Sequence, residues 1–192
     1  IRATGVPGWR WEIDPKTGRY QVGAIIPGTP AADESVDVQS GDLIVAIDGM
    51  PLAAGSNTSI PLNGKVGKRV AVKLERAGEA LEVILRPISN NVLRRKIYDH
   101  WLEECRQQVH RESAGRLGYL HIRSMDQTSL DRFAVQLYEA GHDREGLIID
   151  VRENGGGWTT DRLLVSLTRQ PHALTQPRAG GLGYPNDRLA AP

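Results

Sequence analysis

Apolar and polar positions alternate along the first 86 residues of the chain. Trp9, Trp11 and Ile13 fall on one parity, as do Tyr20, Val22, Ala24 and Ile26, and a half-buried strand requires that period of two. The pattern predicts strands at 9–13, 19–26, 42–47, 69–75 and 80–86. Asp14-Pro15-Lys16-Thr17-Gly18 reads as a hairpin turn and Ala77-Gly78-Glu79 as a second. Five or six short strands in about 85 residues predict a small β-barrel or sandwich with short helices.

Near residue 88 the pattern changes. Leu93, Ile97, Trp101, Cys105 and Val109 recur every four residues, which predicts an amphipathic helix with one buried stripe. A strand follows at 117–122, then a helix at 129–140 with Leu130, Phe133 and Leu137 on one face and Gly141 placed to end it. A second strand at 147–151 and a helix at about 160–169 complete the pattern. Strand, helix and strand within about 35 residues form a βαβ unit, so the two strands are predicted parallel. The last stretch, 170–192, is rich in Gly, Pro and Ala and reads as a loop or interrupted element. The change of pattern sets a domain boundary in the connector 87–91, dividing 1–87 from 88–192 within an α+β chain.

Composition narrows the function classes. The chain has 192 residues, 40% hydrophobic and 24% charged, which is ordinary globular composition. A net charge of +1 offers no basic stripe for nucleic acid. Arg94-Arg95-Lys96 reads as the solvated face of a helix. Cys105 is the single cysteine, which excludes an intrachain disulfide and a multi-cysteine metal site, and its apolar helix position reads as a buried thiol. No metal or other cofactor is expected. No apolar stretch approaches the roughly 20 residues that cross a bilayer, so no membrane partner is expected. No signal peptide is visible, and the low cysteine content suits a reducing compartment. The chain opens on Ile1 rather than Met, and a preceding segment is expected.

Two constellations carry chemistry. The first is Tyr-Gln-Val-Gly-Ala-Ile-Ile-Pro-Gly-Thr-Pro-Ala from Tyr20, followed by Ser40-Gly41-Asp42-Leu43-Ile44-Val45-Ala46-Ile47-Asp48-Gly49. Pro27-Gly28 ends a strand, Ala31-Ala32 starts a short helix, and Gly41-Asp42 makes a tight turn into the next strand. These segments resemble the PDZ family. The resemblance implies that an extended peptide adds as a strand at 9–13, with its carboxylate held by main-chain N–H groups of the loop Val6, Pro7, Gly8 and Trp9. Pro7 has no N–H to give. The segment 58–66, where PDZ domains place the groove helix, holds Pro61 and Gly64 and departs from a helical pattern.

The second constellation is the apolar run Gly146-Leu-Ile-Ile-Asp150, ending in Val-Arg-Glu-Asn154-Gly155-Gly156-Gly157-Trp158. Glycines allow positive φ and can turn successive N–H groups toward one point, and a helix N-terminus adds partial positive charge. Such a nest suits a negative oxygen. A structural strand-to-helix turn, a phosphate cradle and an oxyanion hole all fit the residues. The phosphate reading lacks Gly-x-Gly-x-x-Gly spacing and a Gly-Lys-Ser/Thr element.

Ile149-Asp150-Val151-Arg152-Glu153-Asn154-Gly155-Gly156-Gly157 and the upstream Gly118-Tyr119-Leu120-His121-Ile122 resemble the tail-specific and tricorn family of serine proteases. The triple glycine, Pro177-Arg178 and Tyr184-Pro185 are more similar to the tricorn branch. The resemblance implies a ClpP/crotonase-like protease core, truncated here, and an oxyanion donor at Gly155 or Gly156. It also implies a local pair of Asp150 with Arg152 and peptide or unfolded protein as substrate. It implies a cytoplasmic homo-oligomer, or a periplasmic enzyme with a Ser–Lys dyad in the tail-specific branch. The family's Ser falls after the Tyr-Pro segment, past Pro192, and its His falls before the PDZ domain. Ser124, Ser129 and Ser166 lack a nucleophile elbow, and none of His100, His110, His121, His142 or His172 matches the base. The chain alone is therefore expected to be inactive. A non-catalytic PDZ peptide-binding protein is the alternative of another class.

Overall fold

The computed structural model describes residues 3–168. The chain is α+β and divides into two compact units, Ile1–Trp101 and Leu102–Pro192. The first unit is an antiparallel sheet of six strands: β1 Trp9–Ile13, β2 Tyr20–Ile25, β3 Leu43–Ile47, β4 Met50–Pro51, β5 Val70–Arg76 and β6 Glu79–Leu85. Their order is β1-β2-β3-β5-β6, with β4 paired to β3, so β1 lies at an edge. Every strand anticipated from alternation is present, with ends moved by a residue or so.

Alternation places Val70, Val72 and Leu74 of β5, and Val83 and Leu85 of β6, in a core shared with Trp9, Val22, Ile44 and Ile47. The hairpin at 14–18 closes through Asp14, whose carboxylate accepts from the amides of Lys16 (3.2 Å) and Thr17 (3.1 Å). Pro30–Ala32 forms a single 3-10 turn. Residues 58–66 run as turns with no helix, as Pro61 and Gly64 dictate.

Helix α1, Asn90–Glu112, is as long as its periodicity promised, but none of its residues is fully buried. The expected stripe is half-buried at Leu93, Trp101, Cys105 and Val109 and exposed at Ile97, so Cys105 is not the enclosed thiol its position suggested. Part of the reason is geometric. At 100° per residue, a repeat of strictly four advances by about 40° each time, so the five positions spread over about 160° of the helix rather than forming one narrow stripe. The exposure of Ile97, which falls between Leu93 and Trp101 on that arc, has no explanation in the winding.

In the second unit β7, Leu117–His121, and β8, Gly146–Asp150, pair in parallel, with Leu117 opposite Gly146 and His121 opposite Asp150. Helix α2, Gln127–Gly141, connects them, and α3, Thr160–Thr168, follows the glycine turn. Leu130, Phe133 and Leu137 of α2 form a core with Leu120, Ile122 and Leu163. Helix α2 begins two residues before the predicted start because Asp126 caps it, accepting from the Ser129 amide at 2.8 Å. The loop predicted at 170–192, with Pro177-Arg178 and Tyr184-Pro185, lies outside the described residues, as does His172.

Candidate functional site

The C-terminal ends of two parallel strands carry the glycine turn. Asp150, the last residue of β8, is buried and accepts from four donors on two residues. The Tyr119 hydroxyl donates to Oδ2 at 2.6 Å. Arg152 donates its amide to Oδ1 at 2.9 Å and its guanidinium to both oxygens at 2.5–3.0 Å. His121, opposite Asp150 in the ladder, donates from Nε2 to the Arg152 carbonyl oxygen at 2.7 Å. The local pair expected of Asp150 and Arg152 is present; Tyr119 and His121, which join it across the strands, were not anticipated.

The turn itself is held at two points of the segment that follows β7. Asn154 donates from Nδ2 to the Ile122 carbonyl at 2.6 Å and accepts on Oδ1 from the Gly156 amide at 2.7 Å. Met125 donates its amide to the Gly156 carbonyl (3.4 Å) and accepts from the Trp158 amide (3.1 Å). Gly157 has φ 154°, and a Cβ there would stand 2.3 Å from the Met125 carbonyl oxygen, so only glycine fits. Thr159 precedes α3 and is fully buried, with its Oγ1 unpartnered among the described residues, while Trp158 is exposed with the Arg162 guanidinium 5.6 Å from its ring centre.

Of the two glycines singled out as donors, Gly156 has its N–H committed to Asn154. Gly155 is exposed, and the amides of Gly155 and Gly157 have no acceptor among the described residues. The role of Asn154 had a signal in the sequence: Asn ahead of glycines favours a turn in which its side chain accepts from the backbone two residues on.

Electrostatics stiffen the strand end. The hydrogen bonds from Arg152 hold the Asp150 carboxyl far below the usual carboxylate range, reinforced by Tyr119 and opposed by burial. Burial, with the bond to Asp150, pushes the Tyr119 hydroxyl well up. A depressed carboxyl contributes stability that is present above its unfolded value of about 3.9 and is lost as the pH falls toward the folded value. The wild type is therefore expected to lose stability steeply below about pH 4, and Asp150→Asn to be weaker at neutral pH with a flatter acid limb. Urea midpoints from pH 2.5 to 7 test this, and parallel curves would refute it.

At the start of β1, Val6, Pro7, Gly8 and Trp9 lie together, the last three of them buried. The Gly5 amide donates to the Leu62 carbonyl (2.8 Å) and the Val6 amide to that of Ile88 (2.8 Å). The Gly8 carbonyl accepts from the Ile26 amide (2.8 Å) and the Thr29 hydroxyl (3.1 Å). The main-chain donors of Gly5 and Val6 thus serve internal carbonyls, while β1 has one edge without a partner strand among the described residues.

Residues 5–90 match the tricorn protease PDZ domain family and residues 116–190 match peptidase family S41. The chain is 30% identical over 186 residues to the tricorn protease of Thermoplasma volcanium, covering 91% of this chain and 18% of that protein. It is 31% identical to a tricorn protease homolog of Saccharolobus solfataricus, covering 93% of this chain and 17% of the relative. The crystal structure of the tricorn protease superposes with a TM-score of 0.67 at 26% identity, over 98% of this chain and 19% of that one. The chain thus spans less than a fifth of the length of these relatives.

Proposed function

Because the chain belongs to the tricorn-like and tail-specific family of serine proteases, joining a tricorn-type PDZ domain to peptidase family S41 sequence, we propose that it is part of a serine peptidase that hydrolyses oligopeptides. Residues 1–87 form the PDZ domain, which binds or guides the substrate along the open edge of β1, and 88–192 form the first part of the catalytic domain. The protein works in the cytoplasm as a homo-oligomer.

The observation that carries this reading is Gly155, exposed and with no acceptor for its amide among the described residues, on a turn fastened to Ile122 and Met125. When a serine oxygen adds to the scissile carbonyl carbon, the carbonyl electron pair moves onto oxygen. A main-chain donor aimed at that oxygen lowers the barrier, and one such donor is worth about a hundredfold or more in rate. The base, having taken the serine hydroxyl proton, gives it to the leaving amine, and water then adds to the acyl carbon and releases the acid, returning a proton to the serine oxygen. The nucleophile and base are contributed from outside these residues, so the 192-residue chain has no peptidase activity alone.

Fluorogenic oligopeptides, given in parallel to this chain and to the protein carrying its whole peptidase domain, test both halves. Turnover and labelling by a serine-directed phosphonate are expected only for the longer protein. Cleavage by the short chain removes the second claim; a longer protein that binds peptide without turnover removes the first.

A further inference from the structure

Resting on the peptidase reading above, we propose that Asn154 is a positioning residue that decides which amide of the glycine turn is presented to the substrate. Its carboxamide bridges two segments far apart in sequence. Nδ2 reaches the carbonyl of Ile122, just past β7, and Oδ1 takes the amide of Gly156 inside the turn. Both polar ends are used, so the orientation of the group is set: reversed, it would place oxygen against the Ile122 carbonyl and N–H₂ against an N–H. The Asn154 amide also donates to the Val151 carbonyl at 3.2 Å, which closes the chain into a tight turn ahead of the glycines.

Two consequences follow from this bridge. First, it spends the Gly156 N–H, so that of the two donors named from the sequence only Gly155 is without an acceptor among the described residues, and the structure assigns the donor to Gly155 rather than Gly156. Second, it fastens the turn to Ile122, while Met125, three residues further along the same segment, fastens it through Gly156 and Trp158. Glycine at positive φ, as at Gly156 (79°) and Gly157 (154°), has wide conformational freedom. Without the carboxamide, the Gly156 amide is released and the direction of its neighbours is no longer imposed. A donor that has lost its direction stabilises the developing oxyanion poorly while leaving peptide binding elsewhere intact. Asn154 itself is half-buried and need not touch the reacting atoms.

The test uses the protein with its whole peptidase domain. Asn154→Ala is expected to lower kcat about a hundredfold with KM within about threefold of wild type, and with phosphonate labelling still reaching full stoichiometry. Asn154→Asp keeps the acceptor for Gly156 but loses the donor to Ile122, and is expected to recover about tenfold of that loss. In amide hydrogen exchange the Gly156 N–H is expected to be protected in the wild type and exposed in Asn154→Ala. If the alanine variant does not fold, the aspartate variant and the wild-type exchange pattern carry the test. A kcat within threefold of wild type, a loss matched by fewer labelled sites, or an unprotected Gly156 amide in the wild type overturns the role of Asn154 and leaves the peptidase reading standing. A wild-type protein that turns over no peptide overturns the peptidase reading, and the catalytic role of Asn154 with it.

Discussion

Gly118→Ala is expected to prevent the second unit from closing. Gly118 sits in β7 beneath the last turn of α2, and a Cβ built there would lie 1.8 Å from the Ala140 carbonyl oxygen, 2.7 Å from its carbon and 2.9 Å from a Leu147 methyl. The two nearest atoms are backbone, so no rotamer change relieves them. The helix cannot withdraw without pulling Phe133 and Leu137 out of the core. The strand cannot slide either, because Gly118 is opposite Leu147 in a parallel ladder whose register also sets His121 against Asp150. Overpacking that rotamers can absorb costs about 1–3 kcal/mol, and a backbone clash of this kind is expected at about 3 kcal/mol or above. Gly155→Ala is the control: nothing lies within 4 Å of its Cβ position, so its stability change is expected within about 0.5 kcal/mol. Denaturant unfolding of the two variants distinguishes them, and equal midpoints would show that α2 does not press on β7 as described.

This close approach also shows where sequence was informative. Alternation at Trp9, Trp11 and Ile13, and at Val70, Val72 and Leu74, is a local signal, because one face of a strand is apolar whatever lies across from it. The strands of the first unit were legible for that reason and those of the second as short apolar runs, and the parallel pair followed, since a strand–helix–strand succession leaves little other topology. The glycine turn was legible as a turn with donors to offer. Which donor is free turns on Asn154 accepting from Gly156 two residues on, a local signal; what anchors the turn was not legible, because Asn154 meets Ile122 and Met125 meets Gly157 across more than 30 positions of sequence. Tyr119 escaped for the same reason: its partner is fixed by register across two strands, whereas the Asp150–Arg152 pair is two residues apart and could be read locally. The buried stripe of α1 failed differently. Its residue types suited a core, but their spacing spreads them over about 160° of the helix, which an angular argument from the sequence shows, whereas the exposure of Ile97 within that arc does not follow from it.

Asp42→Ala is expected to cost the first unit about 3 kcal/mol, the loss that follows when one partner of a buried ion pair is removed. The Asp42 side chain is 2% exposed and sits at the turn into β3. Its Oδ1 accepts from Arg76 Nε at 2.8 Å, and its Oδ2 from Arg76 Nη2 at 2.9 Å and from the Gln39 amide at 2.8 Å. The fork matches the carboxylate edge on, the geometry in which an arginine pair is strongest. Arg76 ends β5, so the pair fastens the 33–42 loop to the sheet, and alanine leaves the Gln39 amide unsatisfied as well. Burial works to raise the Asp42 carboxyl, but the bonds from Arg76 and Gln39 outweigh it and hold it below its usual value. Its stabilisation is therefore complete above the unfolded value of about 3.9 and is lost as the pH falls below that. Asp37 supplies the contrast. It also meets Arg76, at 2.9 Å, but its side chain is 65% exposed, and an exposed pair contributes about 0–1 kcal/mol. Asp37→Ala is thus expected to leave the urea midpoint nearly unchanged, while Asp42→Ala lowers it and flattens its fall in acid. Equal shifts for the two variants would mean that water reaches the Asp42 carboxylate, and that hydrophobic packing rather than this pair holds the loop to the sheet.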